Sequence, residues 1–321
     1  MRGWRRRRRA FEMDLKALQK LQRDTGFNPV FLEKAYHITR LLAAVQENEV
    51  LANALALKGG TALNFVYLDL PRLSIDLDFN FVGAIKKERM LEIRPHVREE
   101  ITRLAGSLDY GFDLKPGSYI MERFLLRYRS LAGPADSVKL EINFLERVPV
   151  AGTVSKRFGH VFDLPAFKVK TYSLEEITAM KTKAMAERLY PRDIHDIFHA
   201  SRMKMRKVLL RKLMMFYLVL AKREPRLDSL LRSIEKYDEK AFVWSLGPFL
   251  REAQATRVEL GDIKKQVEEF YRKLFVLNRD DKAFLKSCES GHPDVGLLFR
   301  GMRVNQELRA HPGLLLALGK K

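Results

Sequence analysis

The sequence is poor in cysteine and has no long apolar run. Its one cysteine, Cys288, excludes an intramolecular disulfide and a zinc site built from several cysteines, and no catalytic motif surrounds it. A bilayer span needs about 20 apolar residues, whereas the apolar segment LMMFYLVLA, residues 213–221, is short and indicates a core helix. No apolar segment of the signal-peptide type follows the basic N-terminus. We therefore expect a cytoplasmic protein that does not associate with membranes.

Acidic residues are scarce relative to basic ones. The 321 residues include 59 Lys and Arg against 40 Asp and Glu, which makes a formal net charge of +19. A field of this sign attracts anions, and nucleic acid is the commonest large polyanion of a cell. A generally basic, solvated surface is the alternative interpretation. The 46% of hydrophobic residues is enough for a packed core and allows two domains.

The first residues are dominated by arginine. Five of them stand in a row, Arg5–Arg9, and we interpret residues 1–26 as a flexible basic leader. Two interpretations of this leader stay open. It is either an arm that contacts phosphates or a disordered segment that precedes the true first residue, Met13. Neither reading makes it part of the folded domains.

The hydrophobic pattern divides the rest of the chain into two domains. Residues 27–171 mix helical spacing with period-two segments, while residues 172–321 show helical patterns alone, and no convincing strand follows about Pro165. The predicted fold class is α+β: a first domain with a mixed sheet, then an all-helical domain, with the boundary near Tyr172. Within the first domain we expect a helix in TALNFVYLDL and strands in ALALKGG, LSIDLDFNFVG, YIMERFLLRYRSL and SVKLEINFLERVPV.

Two aspartates alternate along the predicted strand LSIDLDFNFVG. Residues i and i+2 of a strand share a face, so Asp76 and Asp78 point the same way. Carboxylates this close repel unless a cation lies between them, and oxygen ligands suit Mg²⁺ or Mn²⁺. The segment VKLEINF supplies Glu141 as a third acid on another strand. We expect Asp76 and Asp78 to bind metal and Glu141 to help activate an acceptor hydroxyl; a solvated strand face is the alternative.

A pair of glycines precedes these aspartates by less than 20 residues. Gly59 and Gly60 lie between a predicted strand and a predicted helix, where a backbone without Cβ lets N–H groups approach an anion. Thr61 follows and is suited to cap the helix or to donate its hydroxyl to a phosphate. The three residues therefore predict a cradle for a triphosphate, although a simple turn would explain the glycines alone.

Four segments in order resemble the AbiEii toxins, nucleotidyltransferase-like proteins of type IV toxin–antitoxin systems in the DNA polymerase β-like superfamily. The resemblance extends from about Phe27 to Phe198 and lies in LKGGTALNFVY, RLSIDLDFNFV, VKLEINFLERVP and ITAMKTKAMAERLYPRDIHDIF. It implies a nucleotidyltransferase that uses an NTP, with tRNA as the best candidate acceptor and an antitoxin as protein partner. The C-terminal helices resemble the family loosely, and the arginine leader does not resemble it.

The fourth segment places basic residues on one helix face. Lys181 and Arg188 are seven residues apart, two turns of a helix, and two such cations neutralise charge that shifts to a leaving pyrophosphate. In the family, the matching lysine and the R-D-x-x-D aspartates belong to the active site, and the lysine contacts phosphate. Here that motif begins with Arg192 and Asp193 and ends with Asp196. For Arg192 and Asp193, a structural ion pair at a helix start is an equal alternative to catalysis.

Four further positions invite interpretation. Arg72 matches a position that the family usually fills with arginine, and it either binds phosphate or pairs with acids. Ile75 stands where the family often has an acidic residue, which alters the charge beside the aspartates but leaves the pair intact. His195 and His199 are four residues apart on a helix, yet no HExxH motif accompanies them, so we expect His199 to pack and His195 to be partly exposed, and neither to bind metal.

Our first hypothesis is thus a Mg²⁺- or Mn²⁺-dependent transfer of NMP from NTP to RNA. Asp76, Asp78, Glu141, Lys181 and Asp193 are the expected catalytic residues, and the expected nucleotide-binding residues are Gly59, Gly60, Thr61, Arg72, Lys181, Arg188 and Arg192. Two alternatives stay open: transfer to a protein or small molecule, as in antibiotic-modifying enzymes, and a non-catalytic nucleotide- or RNA-binding protein on the same fold.

Overall fold

The computed structural model describes residues 13–131, 133–255, 257 and 259–319. The arginine run and the rest of residues 1–12 lie outside the described residues.

The second half of the predicted leader is not flexible but helical. Helix α1 (Leu15–Thr25) is capped by Asp14, whose carboxylate accepts a hydrogen bond from the backbone N–H of Ala17 at 2.7 Å. Leu18 is completely buried against the helix that follows. The prediction was wrong here because one leucine per turn of LKALQKLQRDT is enough to hold the segment on the core.

A seven-stranded mixed sheet forms the centre of the N-terminal part of the described chain. Its strands lie in the order β3-β4-β5-β2-β1-β7-β6. Strand β2 pairs antiparallel with β1 and parallel with β5, and β1 pairs parallel with β7; the remaining neighbours are antiparallel. The strands are β1 (Leu55–Lys58), β2 (Asp76–Phe81), β3 (Gly111–Lys115), β4 (Met121–Tyr128), β5 (Asp136–Asn143), β6 (Thr153–Arg157) and β7 (Lys168–Tyr172).

Helices cover the face of this sheet that carries the apolar side chains. Asn28 caps the second helix through a hydrogen bond from the N–H of Val30, and Pro29 occupies its first turn, as the sequence predicts. Leu77, Phe79 and Phe81 of β2 are completely buried in the core beneath. The helices of this part are α2 (Pro29–Glu47), α3 (Glu49–Ala54), α4 (Gly59–Ala62), which continues as a π-helical turn (Leu63–Tyr67), and α5 (Lys87–Ser107).

The predicted strands that alternate in polarity are confirmed, and three others were missed. LSIDLDFNFVG and SVKLEINFLERVPV contain β2 and β5, and ALALKGG and YIMERFLLRYRSL contain β1 and β4. Strands β3 and β6 carry mostly exposed or partly exposed side chains, so neither shows the apolar alternation of a half-buried strand. Strand β7 follows Pro165, where we expected helices alone; its Val169 and Tyr172 are buried.

Helices make up the secondary structure of the described chain after β7. The packed apolar side chains form two clusters, one around the sheet and one among these helices, and Val148 and Val150 belong to the second. We infer from the clusters a division near Tyr172. The helices are α6 (Leu174–Arg188), α7 (Pro191–Ala200), α8 (Lys207–Leu220), α9 (Leu227–Glu235), α10 (Glu239–Leu246), α11 (Glu252–Ala255), α12 (Leu260–Leu274), α13 (Arg279–Glu289), α14 (Val295–Leu298) and α15 (Pro312–Ala317), with 3₁₀ turns at Gly247–Phe249 and Gln306–Ala310.

None of the helices in the described ranges is both long enough and apolar enough to span a membrane.

Candidate active site

The three predicted acids lie on one face of the sheet, on neighbouring parallel strands. In the register of β2 and β5, Asp76 is opposite Lys139 and Asp78 is opposite Glu141. Because alternate residues of a strand share a face, Asp76, Asp78 and Glu141 all point away from the apolar core. The structure therefore brings together the carboxylates that the sequence placed on separate segments; their metal-binding and catalytic roles stay predictions.

Basic side chains surround these carboxylates. Lys58, at the end of β1, is opposite Asp78 in the antiparallel pair, and Arg123 of β4 donates to Glu141 Oε1 at 2.7 Å. The ammonium of Lys139 lies 3.7 Å from Asp76 Oδ1 and 3.7 Å from Glu141 Oε1. No role was expected for Lys58, Lys139 or Arg123 from the sequence. Lys139 is nevertheless two residues before Glu141 in the predicted strand VKLEINF, so the two side chains share a face.

The first glycine of the turn is required by the side chain of Asp78. Gly59 has a φ of +72°, in the left-handed region that favours glycine. A Cβ at this position would overlap with Asp78 Oδ2 and lie 3.1 Å from Asp78 Cβ. The turn and the metal-binding aspartate of the prediction are therefore in direct contact.

The second glycine packs against two other side chains. A Cβ on Gly60 would lie 2.6 Å from Arg72 Nη2 and 2.9 Å from Ser74 Oγ. Gly60 is buried and does not line the cleft described below, whereas Gly59 does. Of the two glycines, the structure thus places only Gly59 where a triphosphate would lie.

Thr61 is not available to a phosphate. Its side chain is 0% exposed, and its hydroxyl contacts Ser74 Oγ at 3.0 Å and the backbone carbonyl of Asp76 at 2.5 Å. The position before α4 is Lys58, which makes no side-chain cap, so Thr61 does not cap the helix either. This corrects the predicted phosphate contact: Thr61 fixes the start of β2, and thereby Asp76, from beneath.

A cleft of about 270 Å³ separates the carboxylates from helix α6. One wall is the end of β1 with the Asp78 and Glu141 side chains, and another is formed by α6. Acidic and basic side chains alternate along this lining, which suits a small anionic ligand with bound cations. The charged side chains that line it are Lys58, Asp78, Glu141, Glu146, Lys181, Lys183, Glu187 and Arg188.

Lys181 lies at the wall of this cleft in a buried ion-pair network. Its ammonium is 2.8 Å from Asp193 Oδ1 and 2.8 Å from Asp196 Oδ2. Arg188 donates from Nε to Asp193 Oδ2 at 2.8 Å and from Nη2 to Oδ1 at 3.1 Å, and its side chain is 49% exposed. Asp193 is thus held between two cations, Lys181 and Arg188. A structural ion pair was the alternative that the sequence allowed for Asp193 beside direct catalysis.

Arg72 closes the network from inside the protein. It donates from Nε and Nη2 to the two oxygens of Asp196 at 2.8 and 2.7 Å, and from Nη1 to the carbonyl of Leu73. Its side chain is 2% exposed, so the predicted contact of Arg72 with a nucleotide is corrected to a buried bidentate pair. Burial alone would raise the pKa of Asp196, but Arg72 and Lys181 hold that pKa well below its usual range.

Arg192 lies beside this network without lining the cleft. Its guanidinium stacks 5.0 Å above the ring centroid of Phe249, in the turn that follows α10. Burial and the charge of Arg72 lower its pKa, while Asp76 and Asp193 oppose that shift. The charges of Arg192 and Asp76 therefore attract each other, but Arg192 does not line the cleft.

The electrostatics of Asp78 favour a bound cation. Burial raises the pKa of Asp78, the charges of Asp76 and Glu141 raise it further, and those of Lys58 and Lys139 oppose the shift. Carboxylate oxygens are the donors that Mg²⁺ and Mn²⁺ prefer, so this donor set fits such an ion. In the described part of the chain no three acidic, histidine or cysteine side chains are already gathered around one point as a metal cluster.

Glu146 and Lys183 are cleft residues that sequence analysis missed. Lys183 of α6 and Glu146 form a hydrogen-bonded ion pair, and Lys58 lies 3.6 Å from the second oxygen of Glu146. Burial would raise the pKa of Glu146, but Lys183 and Lys58 hold it well below its usual range. Lys183 follows Lys181 by two residues on α6, a spacing that does not place two side chains on one helix face, so the local sequence did not single it out.

His195 and His199 face each other on α7, with their Nε2 atoms 3.2 Å apart. Burial lowers the pKa of His199 to about 4 and that of His195 well below its usual value, so both rings are neutral at pH 7. His195 is buried next to the Arg72–Asp196 pair, so the expectation that it is partly exposed was wrong.

A family model and a solved structure are similar to this chain. The model of the family described as nucleotidyl transferase AbiEii toxin, type IV TA system, matches residues 40–307. Among solved structures, MenT4, a nucleotidyltransferase toxin from Mycobacterium tuberculosis H37Rv, is similar with a TM-score of 0.62 at 20% sequence identity, over 83% of this chain and 91% of that one. No curated protein sequence matches. The structural likeness confirms the predicted fold class.

Proposed function

This chain belongs to the AbiEii family of nucleotidyltransferase toxins, and we propose that it transfers NMP from an NTP to tRNA with the help of Mg²⁺. The family assigns it to type IV toxin–antitoxin systems, in which an antitoxin is the protein partner and an NTP the substrate. The acceptor, the metal and the individual residues are the parts that we propose.

One observation carries the proposal: a single cleft is lined by carboxylates, by cations and by the first glycine of the turn, namely Asp78, Glu141, Lys181, Arg188 and Gly59. In the proposed reaction, a hydroxyl of the acceptor attacks the α-phosphorus of the NTP. A new O–P bond forms, the bond from the α-phosphorus to the oxygen that bridges to the β-phosphorus breaks, and pyrophosphate leaves. Glu141 is the group that we assign to accept the hydroxyl proton, since it lies next to Asp78.

Asp76 and Asp78 are the residues that would hold Mg²⁺. They share one strand face, and burial together with the charges of Asp76 and Glu141 raises the pKa of Asp78. When bound, the ion supplies positive charge to the phosphate oxygens and to the attacking oxygen. Mn²⁺ has the same ligand preference and is expected to replace Mg²⁺.

The wall of the cleft that α6 forms is assigned to the triphosphate. Arg188 is the half-exposed cation of that wall, and its planar guanidinium is suited to pair with phosphate oxygens. Lys181 adds positive charge from beneath, where Asp193 and Asp196 hold its ammonium. We therefore assign Asp193 to positioning of Lys181 and Arg188 rather than to proton transfer.

The choice of RNA as acceptor is supported by charge. The formal net charge of +19 favours a polyanion over a neutral small molecule or an average protein. The experiment below separates RNA as acceptor from three alternatives: transfer to a protein, transfer to a small molecule, and binding without catalysis.

The experiment incubates the full chain with each α-³²P-labelled NTP, Mg²⁺ and total tRNA, beside the Asp78→Asn variant. We expect label that ribonuclease removes and protease does not, and a loss of more than about 100-fold in Asp78→Asn, because a metal ligand is lost. Label that only protease removes, or label on small molecules, would replace RNA as the acceptor. NTP binding without any labelled product would overturn the transfer reaction.

A further inference from the structure

The Lys139 side chain lies between two carboxylates of the proposed metal site. Its ammonium is 3.7 Å from Asp76 Oδ1 and 3.7 Å from Glu141 Oε1, and the side chain is 41% exposed. The sheet register requires this position, because Asp76 is the direct partner of Lys139 across the parallel strands and Glu141 is the next residue on the same face.

The other carboxylates of this face also have a basic neighbour. Arg123 donates to Glu141 Oε1, the same oxygen that faces Lys139, and Lys58 lies opposite Asp78. Cations of the protein itself thus lie beside this group of carboxylates, although the ion pair of Lys58 is with Glu146. Lys139 is the one of these cations that contacts two of the acids.

An ammonium at this place opposes a divalent ion. The two cations compete for the carboxylate of Asp76, and their like charges repel at the short distances involved. A metal that binds Asp76 and Asp78 therefore has to displace the Lys139 ammonium or bind against its charge.

We propose that Lys139 is a resident cation that competes with the divalent metal for Asp76 and so lowers the metal affinity of the free enzyme. The proposal rests on the proposed metal-binding function of Asp76 and Asp78. An NTP brings phosphate oxygens that pair with an ammonium as well as carboxylates do. Lys139 thereby favours entry of the metal together with the nucleotide over binding of the metal alone.

The test measures binding of Mn²⁺ alone, without NTP, from the loss of the free Mn²⁺ signal in electron paramagnetic resonance. The natural chain is compared with Lys139→Met, which removes the charge but keeps the length of the side chain. We expect the Kd for Mn²⁺ to fall roughly tenfold in Lys139→Met, since a unit charge about 4 Å away is removed from a partly exposed site. Lys139→Arg keeps the charge and is expected to retain the Kd of the natural chain.

Lys156→Met is the matched control. Lys156 is exposed on β6, at the edge of the same sheet, so its loss changes the net charge equally without touching the carboxylates. An unchanged Kd in this variant shows that the effect of Lys139→Met is local; an equal tightening in both variants would overturn the role of Lys139. Circular dichroism of each variant confirms that the fold is retained, and Lys139→Gln replaces the methionine variant if the latter does not fold.

Failure of the proposal for Lys139 can be distinguished from failure of the proposed metal function. If the natural chain and Lys139→Met bind Mn²⁺ equally well while Asp78→Asn does not bind it, the metal site stands and the role of Lys139 falls. If none of the variants binds Mn²⁺, with NTP present or absent, the proposed metal function itself falls and the inference about Lys139 falls with it.

Discussion

The Asp78 carboxylate lies directly against the backbone of Gly59, so closely that a Cβ on Gly59 would overlap with Asp78 Oδ2. The glycine turn and the aspartate strand are therefore two sides of one contact. Strand β1 delivers Gly59 to the end of β2, because Lys58 and Asp78 are paired in the antiparallel register.

Gly59→Ala is expected to abolish nucleotidyl transfer and to destabilise the fold. The left-handed φ of +72° costs an alanine about 1 kcal/mol, and the clash with Asp78 displaces the carboxylate as well. The measurement is NMP transfer together with urea unfolding of the purified variant.

Gly152→Ala is the matched control for this substitution. Gly152 has a similar φ of +79°, but a Cβ there would meet no atom within 4 Å. The control is expected to lose about 1 kcal/mol of unfolding free energy and to keep its transfer activity. Equal loss of activity in both variants would show that backbone strain, and not the contact with Asp78, matters at Gly59.

Arg72→Met is expected to lower the unfolding free energy by about 3 kcal/mol, because it removes a bidentate partner from a completely buried Asp196. Urea unfolding measures this loss. The comparison variant is Arg127→Met, which breaks an exposed pair with Asp113 and should cost at most about 1 kcal/mol. A stable Arg72→Met protein with weakened NTP binding would restore the nucleotide-binding role that the sequence suggested.

Arg188→Met is expected to act on the nucleotide more than on the fold. The side chain is 49% exposed, so loss of its pair with Asp193 should cost about 1 kcal/mol of stability. Loss of a charged hydrogen bond to the triphosphate should raise the KM for NTP roughly tenfold. Arg188→Lys keeps the charge without the planar guanidinium, so its KM for NTP is expected to lie between that of the natural chain and that of Arg188→Met. An unchanged KM would make Arg188 a structural residue.

Glu176 makes the stability depend on pH. It is buried, accepts hydrogen bonds from the N–H groups of Val150 and Ala151 and from the Tyr217 hydroxyl, and burial raises its pKa from 4.5 to about 7. Since the folded state holds this proton more tightly than the unfolded state, the unfolding free energy should fall as the pH rises through this range. The expected fall is about 3 kcal/mol and levels off above pH 7.

Glu176→Gln removes the titration but not the side-chain volume. Urea unfolding of both proteins at pH 5, 6, 7 and 8 isolates the contribution of this carboxyl, because all other groups titrate in both. The natural chain should lose stability relative to Glu176→Gln from pH 5 to pH 7. Parallel stability curves would contradict the raised pKa.

Local patterns in the sequence were sufficient for the main features of the protein. The period of two in β2 predicts that Asp76 and Asp78 share a face, since successive side chains of any strand alternate. The glycine pair before them predicts a turn with an unusual backbone, and the four ordered segments predict the family, which the match to residues 40–307 confirms. These features depend on neighbouring residues alone, so folding does not alter them.

Contacts between distant segments were decided by the tertiary structure. Arg72 and Asp196 are 124 residues apart, and nothing near Arg72 in the sequence distinguishes a buried ion pair from a phosphate contact. Thr61 is likewise removed from the cleft by packing under β2. The register of β2 against β5 sets Lys139 between Asp76 and Glu141. The sequence by itself indicated the carboxylates and cations that the motifs contain, namely Asp76, Asp78, Glu141, Lys181 and Arg188. Only the pairing of strands and helices across the chain added Lys58, Lys139, Glu146 and Lys183, and decided which charged groups are buried partners and which line the cleft.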